Sequence, residues 1–213
     1  KKIGLTRKEI SQITKLPPNG SLTKILENLV NSEFVRAYQF FGNKKQDTLY
    51  QLSDYFTLFY YKFLKNNSGK DERFWSNSID NPSVRAWEGF TFEQVCKDHI
   101  QQIKKKLGIS GILTEVSSWF TKSTEEADGA QIDMLIDRRD KVINICEMKF
   151  AANEYEIDKD YEKKLINKIE CFRKETGSKK ALHLTMVTPY GVKQNSHSGR
   201  IQSEVTMDDL FEN

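Results

Sequence analysis

The feature that most constrains the fold is a pair of alternating runs, Gln131 to Asp137 and Val142 to Phe150, joined by the short polar turn Asp137-Arg138-Arg139-Asp140-Lys141. Side chains alternate across a strand, so Gln131, Asp133 and Leu135 share one face and Ile132, Met134 and Ile136 the other. In the following run Glu147 and Lys149 share a face, opposite Cys146, Met148 and Phe150. A turn this short makes the two runs a hairpin and brings Asp133 beside Glu147 in a sheet. Any fold for the chain must therefore hold two carboxylates in a largely apolar sheet.

Two carboxylates held together repel unless a cation or a proton intervenes. Mg²⁺ or Mn²⁺ suits such a pair, because hard ions take carboxylate oxygens, water and phosphate. Lys149, two residues beyond Glu147, is placed to stabilise developing negative charge. These parts serve metal-assisted phosphodiester hydrolysis, with Asp133, Glu147 and Lys149 as catalytic residues and Asp133 and Glu147 as metal ligands. Glu93, in the first turn of the preceding helix, is an additional candidate ligand; the competing account makes it a favourable helix N-terminal carboxylate.

The surroundings of the hairpin read as an α/β core. Thr91-Phe92-Glu93-Gln94 has capping-box spacing and opens a helix that buries Phe92, Val95, Cys96, Ile100, Ile103 and Leu107, with Gly108 as its stop. A first strand is expected near Gly111 to Phe120, a charged helix from about Asp158 to Lys174, a strand over Ala181 to Val187, then Glu204-Val205-Thr206 and a short helix, Met207 to Phe211. Lys163, Lys164, Lys168, Arg173 and Lys174 on the charged helix read as a solvated face, with a track along DNA as the alternative. His99 and His183 read as core or boundary residues, and His197 sits in a polar loop with no visible partner.

The N-terminal part has a different pattern. Thr6-Arg7-Lys8-Glu9 is another capping box, and its helix stops at Leu16-Pro17-Pro18-Asn19-Gly20. A second helix, from about Ser21 to Asn31, carries Leu22, Ile25, Leu26 and Leu29 on one face. Strand-like runs Phe34 to Phe41 and Thr48 to Leu52 flank a Gly42-to-Asp47 turn. Helix, turn, helix, hairpin is a winged helix-turn-helix pattern: the second helix, with Lys24, enters a major groove, and a wing tip bearing Lys44 and Lys45 touches the phosphate backbone. An aromatic helix from Asp54 should pack beneath the wing. This gives residues 1–65 as a winged helix, 66–84 as a linker and 85–213 as the α/β domain.

Charge agrees with a nucleic-acid partner. The net +3 of this 213-residue chain divides unevenly: residues 1–84 hold 13 Lys and Arg against 8 Asp and Glu, residues 85–213 hold 20 against 22. A basic N-terminal part suits phosphates, whose neutralisation releases counterions, although plain solubility explains the same excess. No apolar run approaches the roughly 20 residues of a membrane helix and no signal-peptide layout is present, so the expected setting is cytoplasmic. Cys96, Cys146 and Cys171 form no CxxC pair and read as free thiols.

Asp133, about a dozen residues and then Glu147-Met148-Lys149 resembles the active site of the PD-(D/E)xK nuclease superfamily, with Ile132 where the name-giving Pro stands. The whole chain resembles the C-terminal half of prokaryotic AAA+-type ATPases: a winged helix, then Gly89-Phe90-Thr91-Phe92-Glu93, Ser118-Trp119-Phe120, Gln131-Ile132-Asp133, Cys146-Glu147-Met148-Lys149 and Thr206-Met207-Asp208-Asp209-Leu210-Phe211. Gln131 stands where that family often has Glu. The resemblance implies a restriction-endonuclease-like α/β domain, DNA (or RNA) as partner and an ATPase domain upstream. That fits an opening on Lys1-Lys2-Ile3 without Met and the absence of any GxxxxGK[ST] string, so no ATP site is expected here. The alternatives are a non-catalytic DNA- or partner-binding module that regulates the ATPase, and a protein-interaction domain in which the winged helix only packs.

Overall fold

The computed structural model describes residues 4–42, 48–65, 67, 71–78, 80–123 and 129–212. The chain is a mixed α and β protein that divides into two compact units, Lys1–Arg85 and Ala86–Asn213.

In the first unit β1 (Leu5–Thr6) leads directly into α1 (Arg7–Thr14). The expected capping box is present: the Thr6 N–H donates to Glu9 Oε2 at 2.7 Å and the Glu9 N–H to Thr6 Oγ1 at 3.3 Å. Two prolines end α1, and Arg7 reaches back to donate to the carbonyls of Pro18 and Asn19. Asn19 then caps α2 (Gly20–Asn31), its side chain accepting from the Ser21 and Leu22 amides. β2 (Val35–Tyr38) and β3 (Leu49–Leu52) complete an antiparallel sheet in the order β1-β3-β2.

The apolar face of α2 is narrower than its spacing predicts. Leu22 and Leu26, one turn apart, are buried with Leu49, whereas Ile25 and Leu29 are 41% and 37% exposed. A small three-stranded sheet covers one i, i+4 ridge and no more. Asp54 caps α3 (Tyr55–Phe59), which continues as a π-helical turn over Tyr60–Leu64. The aromatics do not all pack inward. Phe59 and Phe63 cluster with Phe74 and Trp75 of α4 (Phe74–Asn77), at centroid distances of 5.1 to 6.4 Å, while Phe56 and Tyr61 face solvent. Segment 66–84, expected as linker, thus contains α4 and the first residues of the next helix.

That helix, α5 (Pro82–Asp98), corrects the sequence reading at its start. Asn81 accepts from the Ser83 amide at 2.8 Å and Pro82 takes the first helical position, where its missing N–H costs nothing. The helix runs on through Gly89, so Thr91 caps nothing and Glu93 lies in mid-helix. Neither the first-turn placement of Glu93 nor its N-terminal dipole account therefore holds. After His99, α6 (Ile100–Lys106) ends as expected at Gly108, whose φ of 68° admits the left-handed stop.

The second unit is built on five strands: β4 (Thr114–Thr121), β5 (Ala130–Arg138), β6 (Val142–Met148), β7 (Ala181–Val187) and β8 (Ser203–Val205), adjacent in that order. β4, β5 and β6 pair antiparallel; β6, β7 and β8 pair parallel. A parallel pair needs a crossover, supplied by α7 (Lys159–Thr176), which is capped by Asp158 and closed by Gly177. α8 (Met207–Phe211) follows β8 behind a Thr206–Asp209 capping box. One sheet face buries Met134, Ile136, Cys146, Met148 and Val187 against Phe92 and Cys96 of α5, Ile103 of α6 and Leu210 of α8. The other carries Leu135, Ile143 and Ile145 beside Leu165 and Phe172 of α7, and Trp119 stands edge-on to Phe172 at 5.3 Å. No helix among the described residues is long and apolar enough to cross a membrane.

Because Ile136 is wholly buried in this core, Ile136→Ala should lower the unfolding free energy of the second unit by about 2–5 kcal/mol in urea titration. Leu113, 67% exposed, is the control, and Leu113→Ala should stay within about 0.5 kcal/mol.

Candidate functional site

The hairpin places Asp133 on β5 and Glu147 on β6 as alternation predicts. The β5–β6 ladder runs from Asp137↔Ile143 to Met134↔Cys146 and stops. One further step in that register sets Asp133 opposite Glu147. β6 meanwhile stays bonded to β7 through Met148↔Val187, and the Lys149 amide donates to the Val187 carbonyl at 2.9 Å. The strands thus part on the β5 side, where the carboxylates lie.

Glu147 is completely buried, yet it is charged and fully partnered. Its Oε1 accepts from the Tyr161 hydroxyl at 2.7 Å and pairs with Lys149 Nζ at 3.1 Å; its Oε2 accepts from Lys168 Nζ at 2.6 Å. Burial pushes the carboxyl up, but Lys168, then Lys149, and the hydrogen bonds from Lys168 and Tyr161 hold it below the ordinary value of 4.5. Burial likewise opposes the charge on Lys149, and Glu147 outweighs it, so the ammonium is held above its ordinary value. Burial and Glu147 together drive the Tyr161 hydroxyl far up, which keeps it protonated and donating. Lys149 also lies over the Tyr161 ring at 5.5 Å.

Asp133 is buried as well, and its Oδ1 accepts from Gln131 Nε2 at 2.5 Å. Ser118 on β4 donates to the Asp133 carbonyl at 2.8 Å, which steadies the backbone there. Asp133, Glu147 and Lys149 therefore come together. Glu93 is buried on α5, but among the described residues no three His, Cys, Asp or Glu side chains converge as a metal-holding group. Lys24 is exposed on α2 of the first unit. Lys44 and Lys45 lie outside the described residues.

The donor chemistry fits a hard divalent ion, since two carboxylates from neighbouring strands share a face. Such an ion has to compete for Glu147, both of whose oxygens already take donors. Sequence reasoning missed the two groups that matter most here, Tyr161 and Lys168. Tyr161, Leu165, Lys168 and Phe172 recur at four-, three- and four-residue steps, the signature of one helix face. The solvated reading of Lys168 rests on the Glu and Asp residues that share its helix; its side chain is only 19% exposed. His197, expected to lack a partner, bonds Glu162 Oε2 through Nδ1 at 2.7 Å. Cys96 and Cys146 lie in the opposite core, where burial raises both thiols, Cys146 to about 12.

Compared with known proteins, the chain matches no family model, no curated protein and no solved structure.

Losing one partner of a buried ion pair strands the other. Lys168→Met should therefore cost about 3–5 kcal/mol in urea unfolding, and Lys168→Met with Glu147→Gln distinctly less than the sum of the single changes. Because folding lowers the Glu147 pKa, its contribution is full at neutral pH and fades as the pH falls below 4.5. Glu147→Gln should flatten that part of the stability–pH curve.

Proposed function

We propose that the second unit is a PD-(D/E)xK, restriction-endonuclease-like domain that hydrolyses nucleic-acid phosphodiesters, and that the first is a winged helix that holds duplex DNA. The carrying observation is the placement of Asp133 and Glu147-Met148-Lys149 where β5 and β6 part, in a helix, three-strand, helix, strand order formed by α5 and α6, β4 to β6, α7 and β7. Asp133 and Glu147 would hold Mg²⁺ or Mn²⁺, which supplies an activated water and polarises the phosphate when bound. Lys149 is the charge-stabilising group. The β1-α1-α2-β2-β3 order with sheet order β1-β3-β2 supports the winged-helix reading, in which α2 and Lys24 face the groove. An ATPase domain upstream and a cytoplasmic setting complete the proposal.

The closed network around Glu147 favours a second reading, a non-catalytic DNA- or partner-binding module. Two lysines already neutralise that carboxylate, so the site is stable as a structural ion cluster.

Incubation of the chain with duplex and single-stranded DNA and Mg²⁺ or Mn²⁺ separates the two readings. The nuclease predicts metal-dependent cleavage that Asp133→Asn and Lys149→Ala each slow by about 100-fold or more. Cleavage that both variants retain at full rate overturns the assignment. Salt-sensitive binding with no cleavage supports the module, and Lys24→Ala should then lower the salt slope by about one.

A further inference from the structure

A cleft of about 560 Å³ opens beside the carboxylates, lined by Lys163, Lys164, Asn167 and Lys168 of α7, Gln131 of β5, and Ser123. None of the described residues that line it is acidic. Lys163 is paired with Asp160 at 3.1 Å on the surface, whereas Lys164 has no ion pair among the described residues. Lys164, Asn167 and Lys168 fall at i, i+3 and i+4, so cation, amide and cation project from neighbouring turns into one space.

Two of the lining residues are also the partners of the carboxylates. Gln131 donates to Asp133, and Lys168 donates to Glu147. The cleft and the carboxylate pair are thus one hydrogen-bonded network, with Lys168 at the junction. An anion in the cleft competes with Glu147 for Lys168, and a cation at Glu147 competes with Lys168 from the other side.

We propose that this cleft is a phosphate subsite, and that Lys168 passes from Glu147 to the bound phosphate, freeing one Glu147 oxygen for a divalent cation. The ligand is an anionic phosphate group with at least two non-bridging acceptor atoms, both oxygen or, in a phosphorothioate, one oxygen and one sulfur, which the lysines and the Asn167 and Gln131 amides can share. Phosphodiesters of a nucleic-acid strand and free phosphate both meet that description. Lys168 is here a positioning residue that makes cation binding depend on anion binding. The cation half of the proposal rests on the reading of Asp133 and Glu147 as metal ligands; the subsite does not.

Amide chemical shifts of the intact chain test the subsite, with inorganic phosphate and a phosphorothioate-linked thymidine tetranucleotide lacking terminal phosphates as probes. Shifts should centre on residues 163–168 and 130–131, and Lys164→Glu should weaken binding by about tenfold at low salt. Binding by the tetranucleotide identifies a diester strand as ligand; binding by inorganic phosphate alone identifies a free phosphate. Equal binding by Lys164→Glu, or shifts centred on Lys104 to Lys106 of α6, overturns the subsite.

Calorimetric titration of Mn²⁺ with and without the tetranucleotide tests the exchange. The wild type should gain about fivefold or more in Mn²⁺ affinity from the tetranucleotide. Lys168→Gln should bind Mn²⁺ more tightly at the outset and lose most of that gain. Direct chelation by the oligonucleotide predicts the same gain in both proteins and overturns the exchange. Should Lys168→Gln fail to fold, Lys164→Glu, which leaves the Glu147 network whole, must lose the gain together with tetranucleotide binding. Failure of Mn²⁺ to bind in every case overturns the exchange and the metal-ligand reading, while the chemical shifts still decide the subsite.

Discussion

The second unit depends on the neutralisation of one carboxylate. Glu147 has no solvent contact, and an ion of its size left unpaired in a protein interior costs several kcal/mol. Three donors from two elements meet that cost: Lys149 on its own strand end, and Tyr161 and Lys168 on α7. Hydrophobic packing alone leaves a helix some freedom to slide over a sheet. Tyr161 and Lys168, two turns apart and aimed at opposite oxygens of one carboxylate, remove that freedom. Leu165 and Phe172, interleaved with them, then fill the sheet surface. Since α7 is the crossover that makes β6 and β7 parallel, the pairing of those strands is tied to the same carboxylate.

Strand β6 separates the two halves of this design by a single residue. Cys146 and Met148 point into the apolar core with Phe92, Ile103 and Leu210, and their neighbours Glu147 and Lys149 point into the polar network. Burial pushes the core thiols and the site carboxylate in the same direction, up, and only at the carboxylate do neighbouring cations outweigh it. The Cys146 thiol, without a cation beside it, is driven up to about 12 and is inert, while Glu147, equally buried, stays charged because its partners are cationic. A slip of one residue along β6 would put the carboxylate among Phe92 and Met134 and the thiol among lysines, so the register is strongly specified.

Local signals were the legible part of the fold. The Thr6–Glu9 box, the Gly108 stop, the hairpin between β5 and β6, and strand β7 all follow from short stretches whose chemistry is self-contained. What was hidden depended on distant partners or on competing signals. β1 is two residues long and exists because β3, more than 40 residues on, pairs with it. The Thr91–Gln94 spacing hides the start of α5, which lies at Asn81-Pro82, and the helix runs through Gly89 to bury Phe92 and Cys96. Asp133 and Glu147 could be placed side by side from alternation and turn length. Lys168 and His197 could not, since their partners Glu147 and Glu162 are 21 and 35 residues away and charged residues at helical spacing read as solvated.

The parting of β5 from β6 makes room at this point for a wholly buried carboxylate and the lysines that neutralise it. Where the ladder is intact, at Leu135↔Ile145 and Asp137↔Ile143, backbone groups satisfy each other and side chains on that face are mainly aliphatic. Beyond Met134↔Cys146 the β5–β6 bonds end, but β6 remains fixed to β7 by the Lys149 amide. One strand end is therefore held rigidly while its neighbour leaves, which opens space without loosening the side that carries Glu147 and Lys149. Ser118 holds the departing strand at the Asp133 carbonyl, and Gln131 holds its carboxylate. Asp133 is thus positioned by its strand and Gln131, and Glu147 by its strand and three donors; one partner of each carboxylate, Gln131 and Lys168, lines the same cleft. A group that enters the cleft and draws on Gln131 or Lys168 must rearrange a carboxylate, whereas one held by Lys163, Lys164, Asn167 or Ser123 leaves both in place.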